Sequence, residues 1–368
     1  MDEGVLIVGL FFQLLTSISH LIHFLQNYKA LKNADTQSSK KAEPITVIIA
    51  AHNEEENLKR LIPQLLKQHY SNFSILVILD RSTDESKEYL MSVEDRRLRF
   101  EEILEVPKGW NEKKYALNHG ITLSNSEWIL LTDADCIPSS NGWISQYTEK
   151  IADNIDIILG VGLHHKSSGL LNAFIQYETL NTAARYISYA LKNQPYMGVG
   201  RNMAYRKSKF LEKRGFQGFK HLVGGDDDLM VQRLAGNNNT QVVLGEDSLT
   251  YSTPKRTWKE YLKQKTRHFA VSKHYMPKYQ RQHAVWFAVH ACIWLIFLIL
   301  VNFNRSVNIA LSIFVIFILI KGLILKLTAK RLGFRWNPLW IIAVDFIYVF
   351  GTPLWTLKSV LTKKIGWN

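Results

Sequence analysis

Trp128-Ile-Leu-Leu-Thr-Asp-Ala-Asp135 is the stretch on which the reading of this chain turns. Glu127–Thr132 reads as a strand whose apolar residues follow one another without alternation, as expected where both faces of a sheet are covered. Just beyond it, alternate side chains of an extended segment point the same way, so Asp133 and Asp135 can converge on one hard cation. The pattern repeats upstream. Ile45–Ala51 is a β-branched run bounded by Pro44, and Asn53 is placed to cap a helix with Glu54, Glu55 and Glu56 in its first turn. Leu58, Leu61, Ile62, Leu65 and Leu66 then recur at helical spacing. Ser74–Leu79 is a second strand ending at Asp80, Ser82–Val93 a helix, Leu98–Val106 a third strand and Glu112–Thr122 another helix. Such alternation predicts a parallel sheet with helices on both faces, which binds ligands beyond the carboxyl ends of its strands. Asp80 and Asp133 fall there.

The flanks are of another kind. Gly4–Leu25 carries no charge and exceeds the roughly 20 residues a helix needs to cross a bilayer. Asp2 and Glu3 precede it and no small-residue cleavage site follows, which favours an anchor over a secretory signal. Lys29, Lys32, Lys40 and Lys41 place the N-terminus outside and the following chain in the cytoplasm. Toward the other end, Ala284–Phe303 and Val307–Ile320 read as a helical hairpin, and Pro338–Leu357 as a third apolar run holding Asp345 and a Gly351-Thr-Pro353 break. Basic residues on both sides of that run leave a re-entrant path and a simple crossing open. Pro254–His283 sets nine basic residues against Glu260, interleaved with Trp258, Tyr261 and Phe269, and reads as helical stretches on an anionic membrane surface. A nucleic-acid arm fits less well, because membrane spans follow at once and no nucleic-acid motif occurs.

Composition agrees with this division. Lys and Arg number 45 against 32 Asp and Glu, a formal net charge of +13, while 47% hydrophobic residues exclude a disordered polar chain. The mean hydropathy of −0.08 averages apolar ends with a polar middle. Cys136 and Cys292 cannot build a disulfide framework, and no structural-zinc spacing is present. The expected organisation is an anchor at 4–26, a linker at 27–43, a cytoplasmic catalytic domain at 44–253 and a basic interfacial segment at 254–283. Transmembrane segments at 284–303 and 307–326 and a transmembrane or re-entrant one at 338–360 complete it.

Farther along the middle, Gly224-Gly-Asp-Asp-Asp228 places three acids in succession. Adjacent carboxylates repel, which raises the pKa of one and suits it to act as a general base. With this cluster the set is complete. Ala51-His-Asn-Glu-Glu55, Asp80-Arg-Ser-Thr-Asp84, Lys113-Lys-Tyr-Ala-Leu117, Asp133-Ala-Asp135, Gly225-Asp-Asp227 and Gln264-Lys-Thr-Arg267 follow one another in order. Over Ile45–Phe269 the chain thereby resembles the membrane-bound family 2 glycosyltransferases, and its flanking helices are similar to those of ceramide glucosyltransferase and the polysaccharide synthases.

The resemblance implies an α/β GT-A domain, of the nucleotide-diphospho-sugar transferase type, with N-terminal and C-terminal transmembrane helices. It implies inverting transfer from a nucleotide-diphosphate sugar, a UDP-sugar foremost, to a hydroxyl acceptor, assisted by Mg²⁺ or Mn²⁺. By the same resemblance Asp80 contacts the donor's base, Asn53 and Glu54 border the nucleotide, and Lys113 or Lys114 lies near the donor. Asp133 lines the donor site and shares the metal with Asp135, around which oxygen is the expected donor type. Asp227 is the expected base with Asp226 beside it, the run of three leaving the assignment open by one residue. Gln264 and Arg267 resemble a QxxRW motif beside the leaving diphosphate, where a guanidinium neutralises developing charge.

Two positions depart from the family pattern: Leu79 and Arg81 replace the aspartate and glycine around Asp80, and His268 replaces the tryptophan. Pro195–Asn202, with Gly198 and Gly200, reads either as a wall of the acceptor site or as a turn before a strand. The leading expectation is an integral, multi-pass membrane enzyme that glycosylates a lipid or lipid-linked acceptor at the cytoplasmic face. A processive polysaccharide synthase is the alternative, disfavoured by the few membrane segments. From another class, a non-catalytic membrane scaffold with a sugar-nucleotide-binding domain is disfavoured by the complete set of carboxylates.

Overall fold

The structure is a computed structural model and describes residues 3–34 and 43–361. The chain forms two compact units, one built from Ala34–His165 and Tyr189–Lys255, the other from Met1–Asn33, Lys166–Ser188 and Arg256–Lys363. The continuous catalytic domain expected at 44–253 is thus interrupted, because Lys166–Ser188 belongs with the helical unit.

In chain order the elements are α1 (Glu3–Lys32), β1 (Ile45–Ala51), α2 (Glu55–Leu66), β2 (Phe73–Asp80), α3 (Ser86–Met91), β3 (Leu98–Ile103), α4 (Glu112–Leu123) and β4 (Trp128–Leu131). There follow β5 (Cys136–Pro138), α5 (Trp143–Thr148), β6 (Ile157–Leu159), β7 (Gly162–His164), α6 (Leu170–Leu191), β8 (Met203–Arg206), α7 (Lys207–Glu212) and α8 (Asp228–Leu234). The last are β9 (Thr240–Val242), β10 (Thr250–Ser252), α9 (Trp258–Ser272), α10 (Pro277–Leu300), α11 (Val307–Leu332) and α12 (Ile341–Leu361).

In the α/β unit seven strands lie in the order β3-β2-β1-β4-β8-β6-β9, and β5, β10 and β7 form a small second sheet. The expectation of a parallel sheet holds for β1 to β4, but β8 pairs antiparallel with both β4 and β6. The sheet is therefore mixed. The reversal follows from where the chain re-enters: pairing of Leu131 with Met203 sets the start of β8 beside the end of β4. Residues Gly200–Asn202 are thereby delivered to the carboxyl ends of the parallel strands. Beneath, β1 is almost wholly buried, and Leu58, Leu61, Ile62 and Leu65 of α2 pack into the same core as Val47, Ile49, Val77 and Leu130.

Asn202 fastens this corner. Its side-chain oxygen accepts from Trp143 Nε1 and Tyr147 Oη, both at 2.8 Å, and its amide donates to the carbonyls of Val161 and Ser248 at 2.8 and 2.9 Å. Asn202 is fully buried, and Gly160 lies so close that a Cβ there would sit 2.1 Å from Tyr147 Oη. Truncation would remove four buried hydrogen bonds at once, although the Val161 carbonyl would keep the one it accepts from Thr250 N. We expect Asn202→Ala to destabilise the protein by about 2–4 kcal/mol, since each unmet buried group costs about 1–3 kcal/mol and some relax; an unchanged thermal midpoint would contradict this.

In the helical unit, α1, α10, α11 and the segment Pro338–Ser359 are each long and apolar enough to cross a membrane. Helix α1 extends past the expected anchor and takes in residues 27–32, read from sequence as linker, because its buried seam continues. Gln13, Ser17, His20, Phe24, Asn27 and Leu31 recur at alternating spacings of four and three, the pattern of a helix seated in a groove between others. Arg331 Nε donates to the Leu31 carbonyl at 2.8 Å. Residues 35–42 of the expected linker, with Lys40 and Lys41, lie outside the described residues. Helix α10 likewise starts earlier than expected, at Pro277, so Lys278 and Arg281 of the basic segment form its first turns.

The Gly351-Thr-Pro353 sequence does not break α12, which is continuous through it. Gly351 is needed there, since a Cβ would meet the Trp355 ring at 2.7 Å. Asp345, the charge that obscured this segment in the sequence, is fully buried and fully partnered. It accepts from Trp294 Nε1 at 2.9 Å, Lys321 Nζ at 2.5 Å and Tyr177 Oη, and lies 3.1 Å from His290 Nε2. A carboxylate surrounded by donors from three other helices is affordable in an apolar bundle.

Candidate active site

The carboxyl ends of β1 and β2 are tied together by side chains that sequence alone placed differently. Asn53 does not cap α2; Glu54 holds that position, and Asn53 sits at φ +54°. The Asn53 amide nitrogen of the backbone donates to Ser82 Oγ at 3.1 Å, and its side-chain oxygen accepts from Thr83 N at 2.7 Å. Asp84 accepts from Glu55 N at 2.9 Å and from Ser86 N at 3.2 Å. These bonds hold residues 82–85 as a loop, so α3 starts at Ser86, four residues later than its sequence suggested.

Asp80 ends β2 with no exposed surface. Arg81 grips both of its oxygens, Nε to Oδ1 at 2.8 Å and Nη2 to Oδ2 at 3.0 Å, from a left-handed backbone at φ +49°. The departure noted at Arg81 is therefore a structural one: the residue neutralises the aspartate it follows.

Beyond β4, Asp133, Asp135 and Cys136 bring three donor atoms within 4.8 Å of one another. Burial, then the charge of Asp133, raises the Asp135 carboxyl above its ordinary value. Glu54 is raised as well, by burial first, with Asp135 and Asp133 adding to it. Arg201, which sequence reasoning missed, acts in the opposite sense on Asp135 and donates from Nη2 to the Gly162 carbonyl at 2.8 Å. The expectation of an all-oxygen neighbourhood needs correcting, because the Cys136 thiol lies 3.4 Å from Asp135 Oδ1 as a donor. Burial and the two aspartates push that thiol well above its ordinary pKa, which favours the carboxylate oxygens over sulfur as ligands. Two partly exposed carboxylates that repel each other fit a hard divalent cation.

The third group comes from the loop before α8. Gly224 and Gly225 adopt φ +87° and +78°, a left-handed pair that residues with a Cβ rarely follow, and the turn delivers the acids that come next. Lys114, fully buried, holds this loop by donating to the carbonyls of Leu222 and Gly224, both at 2.5 Å. Lys113 points elsewhere, 2.8 Å from Asp133 Oδ1 and 3.4 Å from Asp226 Oδ2. The duplicated lysine of the sequence thus divides into one that braces a loop and one that links two carboxylate groups.

The three successive aspartates also differ. Burial disfavours the charge on Asp226, yet Lys113 and Lys114 hold its carboxyl below the ordinary value. Asp227 is pushed up to about 6 by burial and by the neighbouring charge of Asp226. Its Oδ2 accepts from Gly200 N at 3.0 Å and its Oδ1 from Asp228 N at 2.8 Å. Asp228 is the first residue of α8. The Gly200 amide, a partner that no side-chain pattern could reveal, comes from the Pro195–Asn202 segment. Asp133, Asp135, Glu54, Lys113, Asp226 and Asp227 therefore form one electrostatic cluster, with Lys114 behind it. Gln264 and Arg267 stand one turn apart on α9 of the helical unit.

Comparison with known proteins agrees with this layout. Residues 46–212 match the model of glycosyl transferase family 2. The chain is 29% identical over 121 residues to the glycosyltransferase GlyG of Streptococcus pneumoniae, which covers 32% of this chain and 39% of that protein. It is 24% identical over 252 residues to the probable glycosyltransferase YdaM of Bacillus subtilis, covering 63% and 56%. The chain thus spans about four-tenths to somewhat over half the length of these relatives. The solved structure of the mannosyltransferase PcManGT from Pyrobaculum calidifontis, in complex with GDP-Man and Mn²⁺, superposes over 96% of each chain with a TM-score of 0.56 at 15% identity, a likeness of fold. With the GT-A layout of its sheet and the matched span taken together, this chain carries a family 2 glycosyl transferase domain.

Proposed function

We propose that the protein transfers a sugar from a nucleotide-diphosphate donor to a hydroxyl of a lipid or lipid-linked acceptor, with inversion, at the cytoplasmic face of a membrane. The observation that carries the reading is Asp227, a partly exposed carboxylate with a raised pKa in the same cluster as the Asp133 and Asp135 pair. In this reading Asp227 takes the acceptor proton as the oxygen forms its bond to the anomeric carbon and the bond to the diphosphate breaks. Gly200 N and Asp228 N orient the carboxylate for that step. Asp226, held ionised by Lys113 and Lys114, keeps the neighbouring charge that raises Asp227 without competing for the proton.

Asp133 and Asp135 would hold Mg²⁺ or Mn²⁺, which when bound carries negative charge accumulating on the diphosphate. Lys113 lies where it can balance the same carboxylates when the donor is absent, Asn53 and Glu54 border the nucleotide, and Asp80, buried with both oxygens held by Arg81, is assigned to the donor's base. A UDP-sugar is the donor we assign first, although the fold relative was solved with GDP-Man. Gln264 and Arg267 are assigned to the leaving diphosphate. The lipid acceptor and the multi-pass topology are supported by four helices apolar enough to cross a membrane and by basic residues such as Lys29 and Lys32 that favour the cytoplasmic side. The test is a donor screen on membranes containing the protein, with mass spectrometry of the lipid extract; a chain that binds sugar nucleotides yet never turns one over would support the scaffold reading.

His268 is exposed at the place where the family motif has tryptophan. A smaller, titratable ring gives a growing sugar chain less surface to stack on, so we expect one sugar per acceptor. With excess donor and limiting acceptor, a single dominant addition is the predicted product pattern. A ladder extended by many sugars would instead identify a processive polysaccharide synthase.

A further inference from the structure

Helix α6 lies in sequence between β7 of the small sheet and β8 of the seven-stranded one, yet through Ser188 it belongs to the helical unit. Its attachments there are unusually polar. Tyr177 Oη donates to Asp345 Oδ1, Arg185 stacks over the Trp286 ring at 4.3 Å, and Ser188 Oγ donates to Asn27 Oδ1 at 2.9 Å. Helix α6 is therefore fixed against α12, α10 and α1.

One residue on it reaches another helix. Glu178 accepts from Lys265 Nζ at 2.5 Å through Oε1 and from Tyr261 Oη at 3.1 Å through Oε2. Both partners lie on α9, one turn apart, and all three side chains are largely removed from solvent. Around them Phe174, Trp258, Tyr261 and Trp355 form an aromatic cluster with centroids 5.5 to 6.4 Å apart. Apolar packing presses α9 into place but is non-directional. Charge-assisted hydrogen bonds from two residues on one face fix its rotation. Gln264 and Arg267 project from the same helix, roughly 110° around it at 100° per residue.

We propose that Glu178 is a positioning residue: by clasping Tyr261 and Lys265 it sets the rotation of α9, and so the direction in which Gln264 and Arg267 project. The inference rests on the reading above that Arg267 meets the leaving diphosphate. Glu178 touches no reacting atom itself.

The experiment uses the full chain in membranes, with Glu178→Ala, Tyr261→Phe and Arg267→Ala alone and combined. A misdirected guanidinium lowers turnover about tenfold or more in Glu178→Ala, within the range a 1 Å misplacement can cost. Tyr261→Phe keeps the ring packing and removes one bond, so it should lose about threefold, and it decides the question if Glu178→Ala fails to fold. The discriminating readout is the Arg267→Ala background, where each change should alter the residual turnover of a radiolabelled donor by less than about twofold, as for residues acting through one group. Equal fractional losses in both backgrounds, or full turnover in Glu178→Ala and Tyr261→Phe, would overturn the proposal. Undiminished turnover in Arg267→Ala would instead overturn the assignment of Arg267, and this proposal with it.

Discussion

Asp227→Asn should lower turnover by about 10²- to 10⁴-fold, the range general-base catalysis supplies, while donor affinity stays within about threefold. The amide keeps the shape that accepts from Gly200 N but cannot take a proton. The pH profile provides the second half of the test. A base must be ionised to act, and the carboxyl is held at about 6. Turnover per unit of donor bound should therefore fall as pH drops through about 6, with a slope of one on the acid side, and be flat above it. In Asp227→Asn that acid limb should vanish. A larger defect in Asp226→Asn or Asp228→Asn, with Asp227→Asn nearly active, would move the role by one residue. The structure argues against that outcome, because Asp226 is held ionised by two lysines and Asp228 is the first residue of a helix.

Removal of divalent cations should abolish transfer, and Asp135→Ala should reproduce the loss with a deficit of about 10³-fold or more, as expected when several kcal/mol of charge stabilisation disappear. Mg²⁺ or Mn²⁺ should restore the wild type after chelation but not the variant. Cys136→Ser provides the control: burial and the two aspartates disfavour its thiolate, so the variant should keep its preference for hard ions. A gain in activity with Zn²⁺ or Cd²⁺ that depends on Cys136 would show that sulfur is a ligand after all. Asp135→Ala active in the presence of chelator would remove the metal from the mechanism.

Much of this arrangement is legible in one dimension because it is governed by local periodicity. The uninterrupted apolar runs of β1 and β4 can be stable only between two covered faces, and a chain leaving such a strand carries its next polar residues to the sheet's edge. Asp80, Asp133 and Asp135 had to gather at one end of the sheet for that reason. Positions that depended on partners distant in sequence were read less well. Asn53 looks like a helix cap, but Thr83, thirty residues on, competes for its side chain. The Gly351–Pro353 stretch looks like a break, but α12 continues through it. Asp345 looks out of place until Lys321, His290, Trp294 and Tyr177 close around it.

The sequence by itself determined the α/β class of the middle, the apolar character of the flanks and the carboxylate set, since these depend on side-chain pattern within a few residues. Tertiary structure decided which lysine of the pair faces the aspartates, which of Asp226 and Asp227 has a raised pKa, and that β8 runs against its neighbours. It also decided that Lys166–Ser188 belongs to the helical unit. Each of these outcomes turns on burial and on charges brought together across tens or hundreds of residues, and neither quantity exists along the chain until it folds.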